Sequence, residues 1–431
     1  MGGARLREWR SHWPLVLSCL AGSTIASKQI STTGVLMKPL HEAFGWTRGQ
    51  VSATVTFSSI ATVLFSIGVG ALTRRVGPRR VALVASPLSA AAFAAIGFTG
   101  PSLWTYYAVF AIFAAVQVAS GPIIWATAVT SKFKASRGAA LGVGLSGIGV
   151  ASLIYPSAAV WLLEHSGYGW RGVFVGLAAA DMLLLLPLLI VAFHPSTPRE
   201  AITVVAVSNL GGASLGEAVR TGVYWRVTLV LIVAALTVST MMIHLLPLLT
   251  DKGVSVVTAA SVVAVAGGST VVGRCLGGFL LDHIHARWIT PAFFLLPALG
   301  CVLLSRFSGN YLQAVIAAAL IGGSAGVEGD MLPFLLGRYF GRRDYPRIYG
   351  LTMVLYSLGY ALAPVAAGFL FDATGSYKGF LVTLSGLLVL AAAVSASFGP
   401  YPPEGVAESC SESDEFEARP PEHGELLLGR S

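Results

Sequence analysis

The chain has 431 residues, of which 55% are hydrophobic and only 11% carry a charge, with a net charge of +8. Soluble proteins carry about a quarter charged residues, so this composition excludes an ordinary soluble domain. Apolar stretches of about 20 residues, long enough to cross the hydrocarbon core of a bilayer, recur from end to end. The sequence therefore predicts a multi-pass integral membrane protein.

Twelve transmembrane helices are predicted, and we number them spans 1 to 12 in chain order. Glycine and proline inside them do not argue against helices, because both residues are common in membrane spans. The predicted class is an all-α membrane protein. The spans cover residues 13–37, 50–73, 80–99, 103–130, 138–163, 171–193, 224–249, 255–281, 288–305, 310–337, 347–371 and 378–398.

The loop charges predict the orientation of these spans. With twelve spans both termini lie on one side, and that side carries eighteen Lys and Arg residues against six on the other. The positive-inside rule then places both termini in the cytoplasm, and the short loops favour a bacterial inner membrane. The positive net charge is explained by this topology, so no nucleic-acid partner is expected.

An internal repeat organises the chain. The stretch "GALTRRVGPRR" at 70–80 follows span 2 and "GFLLDHIHAR" at 278–287 follows span 8, with an offset of 208 residues that also aligns Pro156 with Pro364. Because six spans is an even number, both copies insert in the same sense, and such parallel repeats place a substrate site between them. The predicted units are a six-helix bundle at 1–193, a cytoplasmic linker at 194–223, a second bundle at 224–398 and an acidic, disordered cytoplasmic tail at 399–431.

The loops after spans 2 and 8 resemble the G-x-L-x-D-R-x-G-R-R pattern of the major facilitator superfamily. Arg74 stands where that family usually has Asp, whereas the second copy keeps Asp282. The resemblance covers residues 10–398 and implies two rocking bundles with charged gating loops. The loop residues it identifies are Gly70, Arg74, Arg75, Gly77, Gly278, Asp282 and Arg287.

Four further stretches are similar to the monocarboxylate porters and the oxalate/formate antiporters. They are "GR" at 273–274, "HEAFGWTRGQVS" at 41–52, "GWRGVF" at 169–174 and "HLLPLLTDKGVS" at 244–255. This resemblance implies that Arg274 in span 8 binds a carboxylate. The planar guanidinium suits two carboxylate oxygens at once. The alternative is a structural ion pair with an acid on span 10.

Few other spans carry a charge, which is costly at the middle of a membrane. Lys28 in span 1 is the candidate second cation for the substrate, or else a paired structural lysine. Glu328 and Asp330 in span 10 lie two residues and about 200° apart on a helix, so both cannot face one cavity. We expect one acid to pair with Arg274 and the other to carry a coupling proton, with a purely structural pair as the alternative.

Uncharged and weakly basic side chains complete the candidate site. His244 in span 7 is expected to bind an anion or relay a proton, or else to be a packing residue. Tyr155, Tyr356 and Tyr360 are candidate lining residues, with simple packing as the alternative. Asp181 is expected to be a hydrogen-bonded structural acid, because the resemblance places span 6 at the periphery.

These features predict a secondary active transporter of a small organic anion, a mono- or dicarboxylate. It would work by alternating access with proton symport or anion exchange. The sequence contains no Walker-type nucleotide motif, no metal-ligand spacing and no nucleophile–base pair, so neither a cofactor nor an enzyme is expected. A proton-coupled exporter of drugs or organic cations and a non-transporting membrane sensor are the rival interpretations.

Overall fold

The structure is a computed structural model. It describes residues 2–121, 124–125, 128–129, 132–133, 136–192, 212–341 and 343–401. The first part of the predicted linker, residues 194–211, and most of the predicted acidic tail lie outside the described residues. The domain limits drawn from the sequence therefore stay predictions.

Each of the first six predicted spans overlaps one or two helices, although span 1 begins earlier and ends later than predicted. Span 1 consists of Gly2–Ala26 and Lys28–Phe44, and span 5 of Arg137–Leu145 and Gly147–His165. The described helix of span 4 ends at Val118, and only some of the residues between 122 and 135 are described. Spans 2, 3, 4 and 6 contain Arg48–Val76, Pro78–Ile96, Leu103–Val118 and Trp170–Ala192.

The last six spans are long, nearly continuous helices. Among the described residues of the whole chain, eight helices are apolar and long enough to cross a membrane. Spans 7 to 12 are Gly222–Thr250, Val256–His283, Ala286–Ser305, Tyr311–Phe340, Tyr345–Thr374 and Lys378–Ala396. The prediction of an all-α membrane fold is confirmed.

Helix contacts show that the two halves are repeats of one arrangement. In the first half, span 2 packs on span 4 and span 3 on span 6; in the second, span 8 packs on span 10 and span 9 on span 12. Each pair of the first half therefore has a counterpart six spans later in the second half: spans 2 and 4 correspond to spans 8 and 10, and spans 3 and 6 to spans 9 and 12. Contacts between the halves obey the same symmetry, because span 5 packs on span 8 and span 2 packs on span 11. The prediction of two parallel six-helix repeats is therefore confirmed.

Local sequence signals fix where several helices begin and end. The Thr47 side chain accepts a hydrogen bond from Gln50 N–H while the Gln50 side chain accepts one from Thr47 N–H, which caps span 2 at both positions. Gly45 ends span 1 in the left-handed region at φ 72°, where glycine has no steric penalty. We call the end of the bundle at this turn the distal end and the opposite end, where the described residues begin and end, the proximal end.

Spans 1 and 5 are interrupted, which the hydropathy pattern did not predict. Span 1 breaks at Ser27, and the Gln117 amide of span 4 donates to the freed carbonyl of Ala26 at 2.8 Å. Span 5 breaks at Ser146, where Gly149 N–H bonds to the Ser146 carbonyl at 2.9 Å. Interrupted helices leave backbone groups available inside a membrane protein, and such groups commonly lie beside binding sites.

A short helix at Leu215–Arg220 docks the end of the linker on the second half. Leu215 N–H donates to the Asp344 carboxylate at 3.0 Å, and Ala213 N–H donates to the Phe340 carbonyl at 2.9 Å. Glu217 caps this helix by accepting from Ser214 N–H at 2.7 Å, and this bond lowers the pKa of the exposed carboxyl. The linker is thus anchored at the proximal end of span 11.

Candidate functional site

Glycines bring spans 8 and 10 into close contact around Arg274. A methyl group at Gly273 would overlap the Gly323 carbonyl, and one at Gly326 would overlap the Thr270 carbonyl and the backbone nitrogen of Arg274. Small residues of this kind allow helix backbones to approach in membranes. The approach places both Arg274 terminal nitrogens within 3.8 Å of the position that a β-carbon would occupy at Gly329.

Arg274 also reaches across to the first half of the protein. Its Nη1 donates to the Leu145 carbonyl at 3.2 Å. Leu145 is the last residue before the break in span 5, so the interrupted helix presents this carbonyl to span 8. The guanidinium therefore lies where the two halves meet, which is the location at which parallel repeats form a substrate site.

Glu328 lies on span 10 in a buried, polar setting. It is 6% exposed, and its Oε1 accepts a hydrogen bond from the Tyr356 hydroxyl at 2.7 Å. The rings of Tyr356 and Tyr360 stack with centroids 6.2 Å apart. The predicted pairing of one span-10 acid with Arg274 stays a prediction, because the described partner of Glu328 is Tyr356 and the Asp330 side chain lies outside the described residues.

A small cavity adjoins Glu328 within the second half. It has a volume of about 20 Å³ and is lined by residues of spans 7, 9, 10 and 12, including Ser324, Thr237 and Met331. A space of roughly 10–15 Å³ is enough for one water molecule when polar partners are present. The cavity can thus hydrate a carboxyl group that is otherwise shielded from solvent.

Lys28 forms a buried ion pair inside the first half. Its Nζ lies 2.5 Å from Asp181 Oδ2, and the Tyr155 hydroxyl donates to Asp181 Oδ1 at 2.8 Å. Lys28 is fully buried, with its ammonium 4.4 Å from the centroid of the Phe93 ring. The predicted substrate roles of Lys28 and Tyr155 stay predictions. In this conformation both side chains bind the Asp181 carboxylate of span 6.

Charged side chains join the two halves at the distal end. Arg48, at the start of span 2, binds both carboxylate oxygens of Asp251 at 2.6 Å and donates to the Tyr377 hydroxyl at 2.9 Å. The Asp372 carboxylate accepts from the backbone N–H groups of Arg48 and Gly49 at 3.1 and 2.9 Å. Arg48 belongs to the first half and its carboxylate partners to the second. The distal end is therefore closed.

His244 lies directly beneath these ion pairs and is fully buried. Its Nδ1 is 2.8 Å from the Tyr377 hydroxyl, and its Nε2 is 2.8 Å from the Pro364 carbonyl. Nε2 is also 3.2 Å from the Ser52 hydroxyl of span 2. We call Arg48, His244, Asp251, Asp372 and Tyr377 together the distal gate.

The sequence analysis missed most of the distal gate. It identified His244, but it quoted the stretches that contain Arg48 and Asp251 only for their family resemblance and gave neither residue a role, and it did not single out Tyr377. A usable signal was the presence of charges immediately beside the ends of spans 2, 7 and 11, on the side poor in Lys and Arg. Their pairing depends on how the halves meet, which no local pattern encodes.

The predicted gating loops lie at the proximal end. Gly77 has φ of 91°, which favours glycine, and Arg75 is exposed. Arg287 lies 4.6 Å from the Trp288 ring. Gly70 and Gly278 lie in the last two helical turns before the two loops. The side chains of Arg74 and Asp282 lie outside the described residues. The gating role of these loops stays a prediction.

Comparisons with known proteins agree with this architecture. The family model described as "Major Facilitator Superfamily" matches residues 19–331 and 271–422. The chain is 28% identical over 442 residues to human "Monocarboxylate transporter 11", covering 96% of this chain and 88% of that protein. It is 26% identical over 399 residues to "Monocarboxylate transporter 13" of Bos taurus, covering 89% and 88%.

Solved structures show the same fold at low sequence identity. A D-xylose–proton symporter matches with a TM-score of 0.73 and 13% identity, covering 90% of this chain and 98% of that one. A bacterial homologue of the human lysosomal transporter Spinster, in an inward-facing and occupied conformation, matches with a TM-score of 0.67 and 17% identity, covering 90% and 96%. The resemblance to the monocarboxylate transporter branch is confirmed by the curated relatives.

Proposed function

The chain belongs to the Major Facilitator Superfamily and is a secondary transporter, and from that premise we propose that it carries a small organic anion, a mono- or dicarboxylate. Transport would proceed by alternating access, coupled to proton symport or to exchange with a counter-anion. The position of Arg274 between the halves carries this proposal. The names of the curated relatives support the same substrate class.

Arg274 suits a carboxylate for three physical reasons. Its guanidinium is permanently charged and presents parallel donors to two oxygens. It lies against span 10 at Gly329, where no side chain separates the guanidinium from the helix backbone. It also bonds to Leu145 of the other half, so a ligand that binds the guanidinium competes with a contact that holds the halves together.

We assign proton coupling to the acids of span 10, Glu328 and Asp330. Glu328 supports this role because it is buried beside a cavity that fits a water molecule and has one oxygen bonded to Tyr356. Tyr356 and Tyr360 would line the route to Arg274. Lys28 and Tyr155 would act on the substrate only indirectly, through the Asp181 pair that fixes spans 1, 5 and 6 together.

The proposed orientation places the proximal end, with both termini, in the cytoplasm and the distal gate outside. The excess of Lys and Arg in proximal loops supports it. The curated relatives named above are from Homo sapiens and Bos taurus, so a bacterial membrane finds no support in them. Labelling of Lys252→Cys from outside intact cells, with protection of Arg79→Cys, is the expected result; the opposite pattern would reverse the orientation.

Carboxylate flux into proteoliposomes tests the proposed substrate class. Purified protein would be offered lactate, pyruvate, oxalate or succinate at equal concentration, with a pH gradient or with internal carboxylate. We expect uptake of at least one carboxylate by the wild type and by Arg306→Gln, an exposed cation at the distal end of span 9. Arg274→Gln should reduce uptake to that of empty liposomes.

Two outcomes would contradict the proposal. One is that the liposomes take up organic cations, and that only organic cations compete for this uptake, with no effect of any carboxylate. The chain would then be an exporter of organic cations in which Arg274 is a structural cation. If Arg274→Gln transports carboxylate normally while remaining folded, Arg274 does not bind the substrate. Binding without flux for every compound would instead indicate a sensor.

A further inference from the structure

The hydrogen bonds of His244 can be assigned direction by chemistry alone. The Pro364 carbonyl has no hydrogen to give, so Nε2 of His244 must donate to it across 2.8 Å. A neutral imidazole carries one N–H, and therefore Nδ1 is an acceptor. The Tyr377 hydroxyl, 2.8 Å away, must then donate to Nδ1.

The same hydroxyl accepts from Arg48 at 2.9 Å. A continuous chain of donors results, running from the Arg48 guanidinium through the Tyr377 hydroxyl and the His244 ring to the Pro364 carbonyl. It links span 2 of the first half to spans 7, 11 and 12 of the second. Every member has a partner only while the imidazole is neutral.

Protonation of His244 would break this chain at one point. Nδ1 would become a donor, and the Tyr377 oxygen would face donors from both His244 and Arg48. The hydroxyl hydrogen would then lose its acceptor, and two positive charges would be separated by a single phenol. A buried donor left without an acceptor destabilises the arrangement that contains it.

The two carboxylates of the distal gate already accept from other donors while the gate is closed. Both oxygens of Asp251 are bound by Arg48, and those of Asp372 accept from the backbone at the start of span 2. The remaining titratable groups near this end of span 1 are Lys38, His41 and Glu42. All three are exposed, and Lys38 pairs with Glu42 at 3.9 Å.

We propose that His244 is a proton-binding site that controls the distal gate: the neutral imidazole holds the gate closed, and a proton taken up at the distal end opens it. This inference rests on the proposed function only for the statement that the opening leads to carboxylate uptake. The gate mechanism itself needs no substrate.

Electron-spin distance measurement on the purified protein in nanodiscs tests the proposal. The four native cysteines would be replaced by alanine, and spin labels attached at Ala43→Cys and Ala373→Cys, two exposed alanines at the distal ends of the two halves. We expect the long-distance population to increase about tenfold between about pH 8 and about pH 5.5, the range in which histidine titrates but ordinary carboxylates do not.

Two variants separate His244 from other titrating groups. His244→Gln keeps one donor and one acceptor but cannot take up a proton, so its distance distribution should be the same at both pH values. Tyr377→Phe removes the hydroxyl over which the donors compete; it should open the gate partly at both pH values and also lose the pH response. His41→Gln, an exposed histidine at the same end, should behave as the wild type.

A wild type whose distances do not change with pH would overturn the proposal, as would a His244→Gln variant that keeps the full response. Should His244→Gln fail to fold, a Tyr377→Phe variant with an unchanged pH response would have the same meaning. Since no substrate is present, a pH-dependent gate in a protein that transports no carboxylate would uphold this inference while refuting the proposed substrate.

Discussion

Removing Lys28 from its buried pair is expected to destabilise the first half strongly. Lys28 and Asp181 have side-chain exposures of 0% and 3%, so Lys28→Met leaves a carboxylate shielded from water with only the Tyr155 hydroxyl as partner. Breaking a buried ion pair from one side costs about 3–5 kcal/mol. Neutralising the remaining charge in Lys28→Met/Asp181→Asn should restore most of that free energy of unfolding.

Unfolding of the purified protein in mixed detergent micelles, followed by circular dichroism, measures these free energies. The matched control is Lys38→Met in the same span, whose partner Glu42 lies 3.9 Å away with both side chains mostly exposed. Such surface pairs contribute about 0–1 kcal/mol. A loss below about 1 kcal/mol in Lys28→Met, or a double variant as unstable as the sum of the singles, would refute a coupled buried pair.

Two further predictions concern helix packing and pH. Gly273→Ala should destabilise the protein and weaken transport, because the added methyl meets the Gly323 carbonyl, whereas Gly268→Ala on the same span meets open space and should be tolerated; equal melting temperatures would contradict this. The lowered pKa of Glu217 means that its cap stabilises the linker helix above the ordinary glutamate range and is lost as the pH falls through the lowered value. The protection factors of the Leu215–Arg220 amides, which correct exchange rates for the pH dependence of the intrinsic rate, should therefore fall only below the ordinary glutamate range, and a fall near about pH 6 would argue against the cap.

Hydropathy and the internal repeat were sufficient to predict the architecture. Twelve spans, their approximate limits and the parallel halves follow from composition and from one 208-residue offset, because burial in lipid imposes both length and apolarity on every span. The breaks at Ser27 and Ser146 were not predictable in this way. Neither interruption is produced by a proline at that residue, and the Ala26 carbonyl is satisfied by Gln117 from span 4.

The candidate site residues can be picked out from the sequence, but their pairing cannot. Arg274, Lys28 and Glu328 stand out because charges are rare inside spans. The pairing of Lys28 with Asp181 crosses 153 residues and depends on spans 1 and 6 being neighbours in the folded bundle. The sequence analysis expected Asp181 to be a structural acid and left Lys28 open between a substrate-binding cation and a paired structural lysine, and the structure places both residues in one ion pair.

The glycine-lined contact between spans 8 and 10 has a consequence for motion. Spans 8 and 10 belong to the same half, and their backbones touch over Gly273, Gly322 and Gly326 with no side-chain layer that could repack, so we expect the two helices to move as one unit. If the two halves rock against each other, we expect Arg274 and Glu328 to keep a constant separation and the 3.2 Å contact from Arg274 to Leu145 to lengthen and shorten in each cycle. We expect a covalent cross-link between spans 8 and 10 to leave transport active, and a cross-link between spans 5 and 8 to abolish transport.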